Sequence, residues 1–317
     1  MEGNFEHKIL MGRELSSNQS ALTWKFCCKN PGHQSFIPAP QFSISHRPAW
    51  AQRQSIWGYI QNLAARTVKL SVSQTSKSRL LGFPLSNNAM PGATTTGSGW
   101  VHWITPGDGC CPCAECDGNQ ARAKPWWKVA VETACHVVFD AEEARCTQVL
   151  AFYNDELSFS NGRTKMMHGV EMYDRDEKLD RSWLWCATHD ESLVQELMNH
   201  LTQRDMLKRI LEEEQGHDTK DLLSLCVVVS HPHGQPKQVT VGELEQSMTL
   251  KGVDNRSHTW TCTTDTCAGS SGGPVFVLVP ECASHNLTRW TMGLAPHSKE
   301  CLEGGLNQSG VGNISWH

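Results

Sequence analysis

The sequence has no excess of basic residues: 28 Lys and Arg stand against 33 Asp and Glu, a net charge of −5. No general field therefore draws it to polyanions, and nucleic acid is excluded as the first partner to consider. No stretch approaches the roughly 20 apolar residues of a membrane span. The opening MEGNFEHKILMGRELSSNQS lacks the apolar core that a secretory signal needs. The expectation is an intracellular protein, cytoplasmic or nuclear, with no membrane partner. In such a compartment the 14 cysteines stay reduced or bind metal, and the Asn-x-Ser/Thr triplets at Asn286 and Asn313 carry no glycan. No internal repeat is visible, and composition is that of a globular chain, 39% hydrophobic and 19% charged.

What is present divides unevenly. Residues 1–55 are rich in Pro, Ser, Gln and Asn and show no sustained period, so a poorly ordered extension is expected there. From residue 56 a domain running to 317 begins. Ile56, Tyr59, Ile60 and Leu63 stand at helical spacing, and Val68, Leu70 and Val72 then alternate as a strand does. Short apolar runs such as GWVHWI, WWKVAVETA, TQVLAFY, LLSLCVVVSHP and GPVFVLV follow, separated by Gly, Pro, Cys and charged turns, which is the pattern of an all-β fold. One segment departs from it. Leu193, Leu197, Leu201, Leu207 and Ile210 form a helical stripe after a capping Asp190, predicting a helical insertion at about 190–215 with a solvated or partner-binding outer face.

Residues 264–276, TDTCAGSSGGPVF, pose the question of which serine is there to react. A serine hydroxyl is a weak nucleophile and needs a histidine to take its proton, an acid to orient that histidine, and N–H donors for the oxyanion. The run Gly-x-Ser-Gly-Gly-Pro resembles the nucleophile turn of chymotrypsin-like serine peptidases. That match makes Ser271 the nucleophile and Ser270 a bystander, with the backbone N–H groups of Gly269 and Ser271 as oxyanion donors. Upstream, VETACHVVF resembles the segment that carries the base, His136, and its ending resembles the high-temperature-requirement branch of the superfamily. DRSWL resembles the segment of the orienting acid and implies Asp180, with Asp174, Asp176 and Asp190 as neighbouring alternatives. The order His, Asp, Ser is that of the chymotrypsin type and not of α/β-hydrolases. GSGWV at 97–101 and VVVSHPHGQPKQVTVGEL resemble further strands of the same domain.

The resemblance implies two six-stranded antiparallel β-barrels, the chymotrypsin-like double barrel, and a serine endopeptidase that hydrolyses polypeptide through an acyl-enzyme without a cofactor. It also implies a substrate wall at Met292–Ser298, with Met292, Gly293, Leu294 and His297. His297 is either a pocket donor to a Glu or Gln side chain, as in glutamyl endopeptidases and picornaviral main proteases, or a plain surface histidine. Where secreted trypsins carry an acid before the nucleophile this chain has Ser270, so activation by zymogen cleavage is not expected. The rival reading is a pseudoprotease that binds peptide or protein without cutting it. The loop GCCPCAECDG offers Cys110, Cys113 and Cys116, with Cys111, as half of a structural zinc site. Cys135, Cys146 or the Cys27–Cys28 pair would have to complete it, and none stands at a metal-binding spacing. Reduced or oxidation-sensitive thiols are the alternative.

Overall fold

The computed structural model describes residues 3–5, 8–11, 16–79, 81, 83–86, 93–113, 116, 124–213, 216–217, 224–249, 257–283, 287–301, 306–309 and 312–315. Asn286 and parts of the cysteine-rich loop lie outside these residues. Strands dominate and fall into two sheets. In the first, the strand Ala93–Pro106 pairs with Thr67–Val72, and the order continues through Thr147–Ala151, Lys165–Asp176, Arg181–Thr188 and Trp127–Thr133. Trp127–Thr133 pairs back onto Ala93–Pro106, which closes an antiparallel barrel of six strands. Val68, Leu70 and Val72 point into it together with Val101, Val129, Val131 and Leu184, as their two-residue alternation predicts.

The second sheet is larger and is not closed by a strand pairing among the described residues, so of the two barrels expected one is closed and one is an open sheet. At its centre the strand Leu225–Ser230 pairs with Gln238–Gly242 on one side and Pro274–Ala283 on the other. Its sequence LCVVVS is apolar without alternation because both faces are covered. Cys226 and Val228 meet Trp260, Val275 and Val277 on one face. Leu225, Val227 and Val229 meet Phe276, Tyr59, Ile60 and Leu63 on the other. Each fully buried aliphatic side chain of this kind contributes about 1.5–3 kcal/mol.

Part of the cover on that second face comes from the residues expected to be loose. Residues 16–55 carry a helix, Ser16–Lys25, several single 3₁₀ turns, and a short strand, Ile37–Pro38, that pairs with Gln238 and Val239. Ala39, Phe42 and Ala51 are buried against the helix Gln54–Arg66. Their apolar positions follow the irregular turns and not one helical or strand period, so periodicity did not reveal them.

The helix Glu191–Glu213 forms where expected, and Asp190 caps it by accepting from Leu193 N at 3.0 Å. It joins the two halves of the fold. Leu193 and Leu197 enter the core of the closed barrel. Leu207 and Leu211 enter the core under the second sheet, and Leu207 lies against Gly58 of the helix Gln54–Arg66. Leu211, 2% exposed, is the buried residue of the last turn, whereas Ile210 is 38% exposed.

Candidate active site

The strand Trp127–Thr133 ends at the closed barrel's rim and the chain turns tightly, with Val137 N donating to Ala134 O at 3.0 Å. His136 sits in that turn and is fully buried. Asp180 closes the turn before the strand Arg181–Thr188 in the left-handed region, φ +48°, a conformation that aspartate tolerates better than most residues. That turn brings its carboxylate against His136. Asp180 Oδ2 lies 2.8 Å from His136 Nδ1, and Oδ1 accepts the His136 backbone N–H at 3.0 Å. Ser298 Oγ donates to Oδ2 at 2.5 Å. Burial pushes the Asp180 carboxyl up, but the adjacent His136 and the hydrogen bonds from His136 and Ser298 outweigh it and hold the group below the usual carboxylate range. The alternatives are elsewhere: Asp174 and Asp176 lie at the exposed end of the strand Lys165–Asp176, and Asp190 caps a helix.

The turn that carries Ser271 is fixed by backbone bonds. Ser270 N donates to Cys267 O at 2.8 Å, Gly273 N to Ser270 O at 2.9 Å and Gly272 N to His297 O at 2.8 Å. The Gly-Ser-Gly strand holds it from the other barrel, since Ser98 N donates to Ser271 O and Ser98 Oγ to Gly269 O, both at 2.8 Å. Glycine is required at Gly272, where φ is +79°. A Cβ there would lie 2.1 Å from Thr133 Oγ1 and 2.2 Å from Ser98 O. That contact presses the serine turn against Thr133 and Ala134, directly before His136. Gly269 is likewise left-handed, at φ +98°, with a Cβ there falling 2.8 Å from His231 O.

The two serines differ in surroundings. Ser270 Oγ accepts from Ser230 Oγ at 3.0 Å and from Cys267 N at 3.2 Å, so its hydroxyl is engaged in holding the turn together. Ser271 is fully buried, as is His136. Of the wall residues, Met292 and Leu294 belong to the core beneath the second sheet and Gly293 lies against Trp260. The three also line a cavity of about 290 Å³ with His102, Arg181 and Arg204. His297 is buried, not at the surface, and its N–H donates to Gly273 O at 2.7 Å.

Ser298 and Arg79 carry no motif in the sequence. Ser298 follows His297 in the strand Leu287–Cys301, and the only sequence signal for it is that a buried carboxylate has a second oxygen to satisfy. Arg79 supports the histidine turn by donating to His136 O at 3.1 Å. Of the metal candidates, Cys110 is exposed and stands apart, while Cys113 and Cys116 meet Cys111 and His189. Cys135 and Cys146 do not join them.

No family model matches the chain, and no curated protein matches it in sequence. Among solved structures it is similar to the active form of the Rv3671c protease from M. tuberculosis, with a TM-score of 0.36 and 15% identity over 77% of this chain and 81% of that one. It is similar to the HtrA-type protease AlgW with a tripeptide at a TM-score of 0.38 and 11% identity, over 83% of this chain and 59% of that one. A variant of AlgW with a decapeptide gives a TM-score of 0.36 and 11% identity, over 79% and 62% of the two chains.

Proposed function

We propose that the chain is a serine endopeptidase with the chymotrypsin-like arrangement of two barrels, acting on polypeptide. The observation that carries this reading is the Asp180 carboxylate, which engages the backbone and the imidazole of His136 together while Ser298 satisfies its remaining lone pair. A carboxylate at Nδ1 holds the proton there and leaves Nε2 as a base. In this reading His136 takes the proton of Ser271 as its Oγ attacks the peptide carbonyl. The N–H groups of Gly269 and Ser271 stabilise the oxyanion, and the imidazolium then protonates the leaving amine. Water hydrolyses the resulting ester with His136 again as base.

The complete burial of His136 and Ser271 favours a second reading, a domain that binds peptide without cutting it. Labelling with a fluorophosphonate probe separates the two. Wild type and Ser270→Ala are expected to label, and Ser271→Ala and His136→Ala are expected to lose at least 100-fold in labelling rate. A folded wild type that stays unlabelled, and stays so when the strands Gly3–Phe5 and Lys8–Met11 are disrupted, gives the binding-only reading.

A further inference from the structure

Two groups of cysteine and histidine outside the triad converge on a point. Cys27, His33, His233 and Cys267 each present one ligand atom, all within 4.8 Å of one another, and so do Cys111, Cys113, Cys116 and His189. We propose that each group holds one structural zinc ion, the first of them fastening residues 27–33 to the turn that carries Ser271.

The distances fit the ion. Tetrahedral zinc with Zn–S of about 2.3 Å and Zn–N of about 2.0 Å separates two sulfurs by about 3.8 Å and a sulfur from a nitrogen by about 3.5 Å. Cys27 Sγ and Cys267 Sγ are 3.6 Å apart, and Cys267 Sγ lies 3.5 Å from His33 Nε2. In the second group Cys113 and Cys116 are 3.5 Å apart, and Cys116 Sγ lies 3.1 Å from His189 Nε2.

The surroundings favour ligands in their metal-binding form. His189 Nδ1 lies 2.9 Å from Pro125 O, and a carbonyl only accepts, so the proton is on Nδ1 and the Nε2 lone pair faces the sulfurs. Asn30 donates to both sulfurs of the first group, from its backbone N to Cys27 at 3.4 Å and from Nδ2 to Cys267 at 3.1 Å. Such donors suit thiolates, which accept and cannot donate. His33 is stacked on Trp24 with ring centroids 3.6 Å apart, which fixes its plane.

The first site bears on the candidate active site through two bonds. Cys267 O accepts from Ser270 N, and His233 N donates to Ala268 O at 2.6 Å. An ion joining Cys267 to His233 therefore pins the chain on both sides of Ala268, immediately before the left-handed Gly269.

The test is the metal content of the full chain purified without chelator. Two zinc ions per chain are expected, with one remaining in Cys27→Ser and one in Cys113→Ser. Cobalt substitution of the wild type reads the ligands without any variant: tetrahedral thiolate coordination gives an intense visible absorption and sulfur-to-metal bands. A folded wild type without zinc that also gives no such cobalt spectrum, or variants that keep both ions, overturns the proposal.

A second inference rests on strand register and on the peptidase reading above. The strand Gly3–Phe5 pairs antiparallel with Lys299–Cys301, directly after Ser298, and the strand Lys8–Met11 pairs antiparallel with Ala93–Thr96, directly before Gly97. Ser298 holds Asp180, and a Cβ at Gly97 would lie 2.5 Å from Val137 and 3.2 Å from Ser271 O. The step from Phe5 to Lys8 spans at most about 11 Å, so one short peptide adds a strand to each sheet, next to Ser298 in one and next to Gly97 in the other. The register assigns Gly3–Phe5 and Lys8–Met11 the role of an intramolecular ligand of the substrate cleft, bound by strand addition.

In the full chain, Asn4→Pro with Ile9→Pro sets a proline, which is poorly tolerated within a paired strand, in each of the two strands. This variant is expected to label with fluorophosphonate at least tenfold faster than wild type, and a fluorescent peptide of residues 1–12 is expected to bind it and slow that labelling. Equal labelling rates with no peptide binding overturn the inference. Peptide binding to a variant that never labels sustains it while removing the peptidase reading.

Discussion

Asp180→Asn is expected to lower the rate of Ser271 labelling about 10,000-fold at neutral pH without unfolding the protein. The side chain keeps its shape but changes what it offers His136. Asp180 presents two acceptor oxygens, one to the backbone N–H of His136 and one to Nδ1 and to Ser298 Oγ. An asparagine keeps the backbone bond with its oxygen and turns an NH₂ toward Nδ1. The ring then accepts at Nδ1 and carries its proton on Nε2, where it has no lone pair for the serine. Kinetics of labelling on the folded variant check this, and a loss of less than tenfold would assign the orienting role elsewhere.

The same substitution has a signature in stability. The folded Asp180 carboxyl titrates below its ordinary value, through the adjacent His136 and the hydrogen bonds from His136 and Ser298 acting against burial. Its contribution is therefore complete above the unfolded pKa of about 4 and is lost as pH falls through the folded pKa. Asparagine has no such titration. Melting temperatures of the two proteins between pH 3 and pH 7 should converge as pH falls, and parallel curves would contradict the hydrogen-bond pattern.

Local features of the fold were legible where one periodicity or one turn chemistry decides the outcome. Val68, Leu70 and Val72 alternate and face one core. Asp190 and the leucines after it specify a helix and its cap. What escaped reading depends on residues distant in the chain. Ala39, Phe42 and Ala51 are buried because a sheet formed by residues after 225 leaves one face to be covered. Cys27, His33, His233 and Cys267 come from three separate segments, so no spacing between neighbours marks them as a group. The cysteine-rich loop offered Cys113 and Cys116, and beside Cys111 the residue that meets them is His189, just past the strand Arg181–Thr188, and not one of the cysteines weighed to complete the group. Short motifs named His136, Asp180 and Ser271, and the fold brings the first two into hydrogen-bond contact, whereas Ser298 and Arg79 join them through hydrogen bonds that topology alone creates.

Arg79 leads to the other large effect expected. Asp140 caps the short helix Ala141–Arg145, and this places Glu143 in the interior. There its carboxylate makes a two-pronged pair with Arg79, Nε to Oε1 and Nη2 to Oε2 both at 2.7 Å, with neither side chain more than 1% exposed. Its oxygens also accept from Ser76 N and Phe139 N at 2.8 Å. Arg79 Nη1 in turn reaches Pro84 O at 2.8 Å and His136 O at 3.1 Å, so the pair braces the turn that carries the imidazole. Glu143→Ala leaves a guanidinium buried without its counter-charge and strands two backbone donors. A loss of about 3–5 kcal/mol is expected, against a total stability of about 5–15 kcal/mol. Chemical denaturation measures it. An Arg79→Met, Glu143→Leu double variant removes both charges and is expected to recover the share of that loss that comes from the unpaired guanidinium, while Ser76 N and Phe139 N stay without their acceptor. The bond from Arg79 to His136 O stays absent, so Ser271 labelling should remain slow in a protein whose stability is partly restored. Stability and labelling recovering together would reduce the pair to a core contact with no part in placing the histidine.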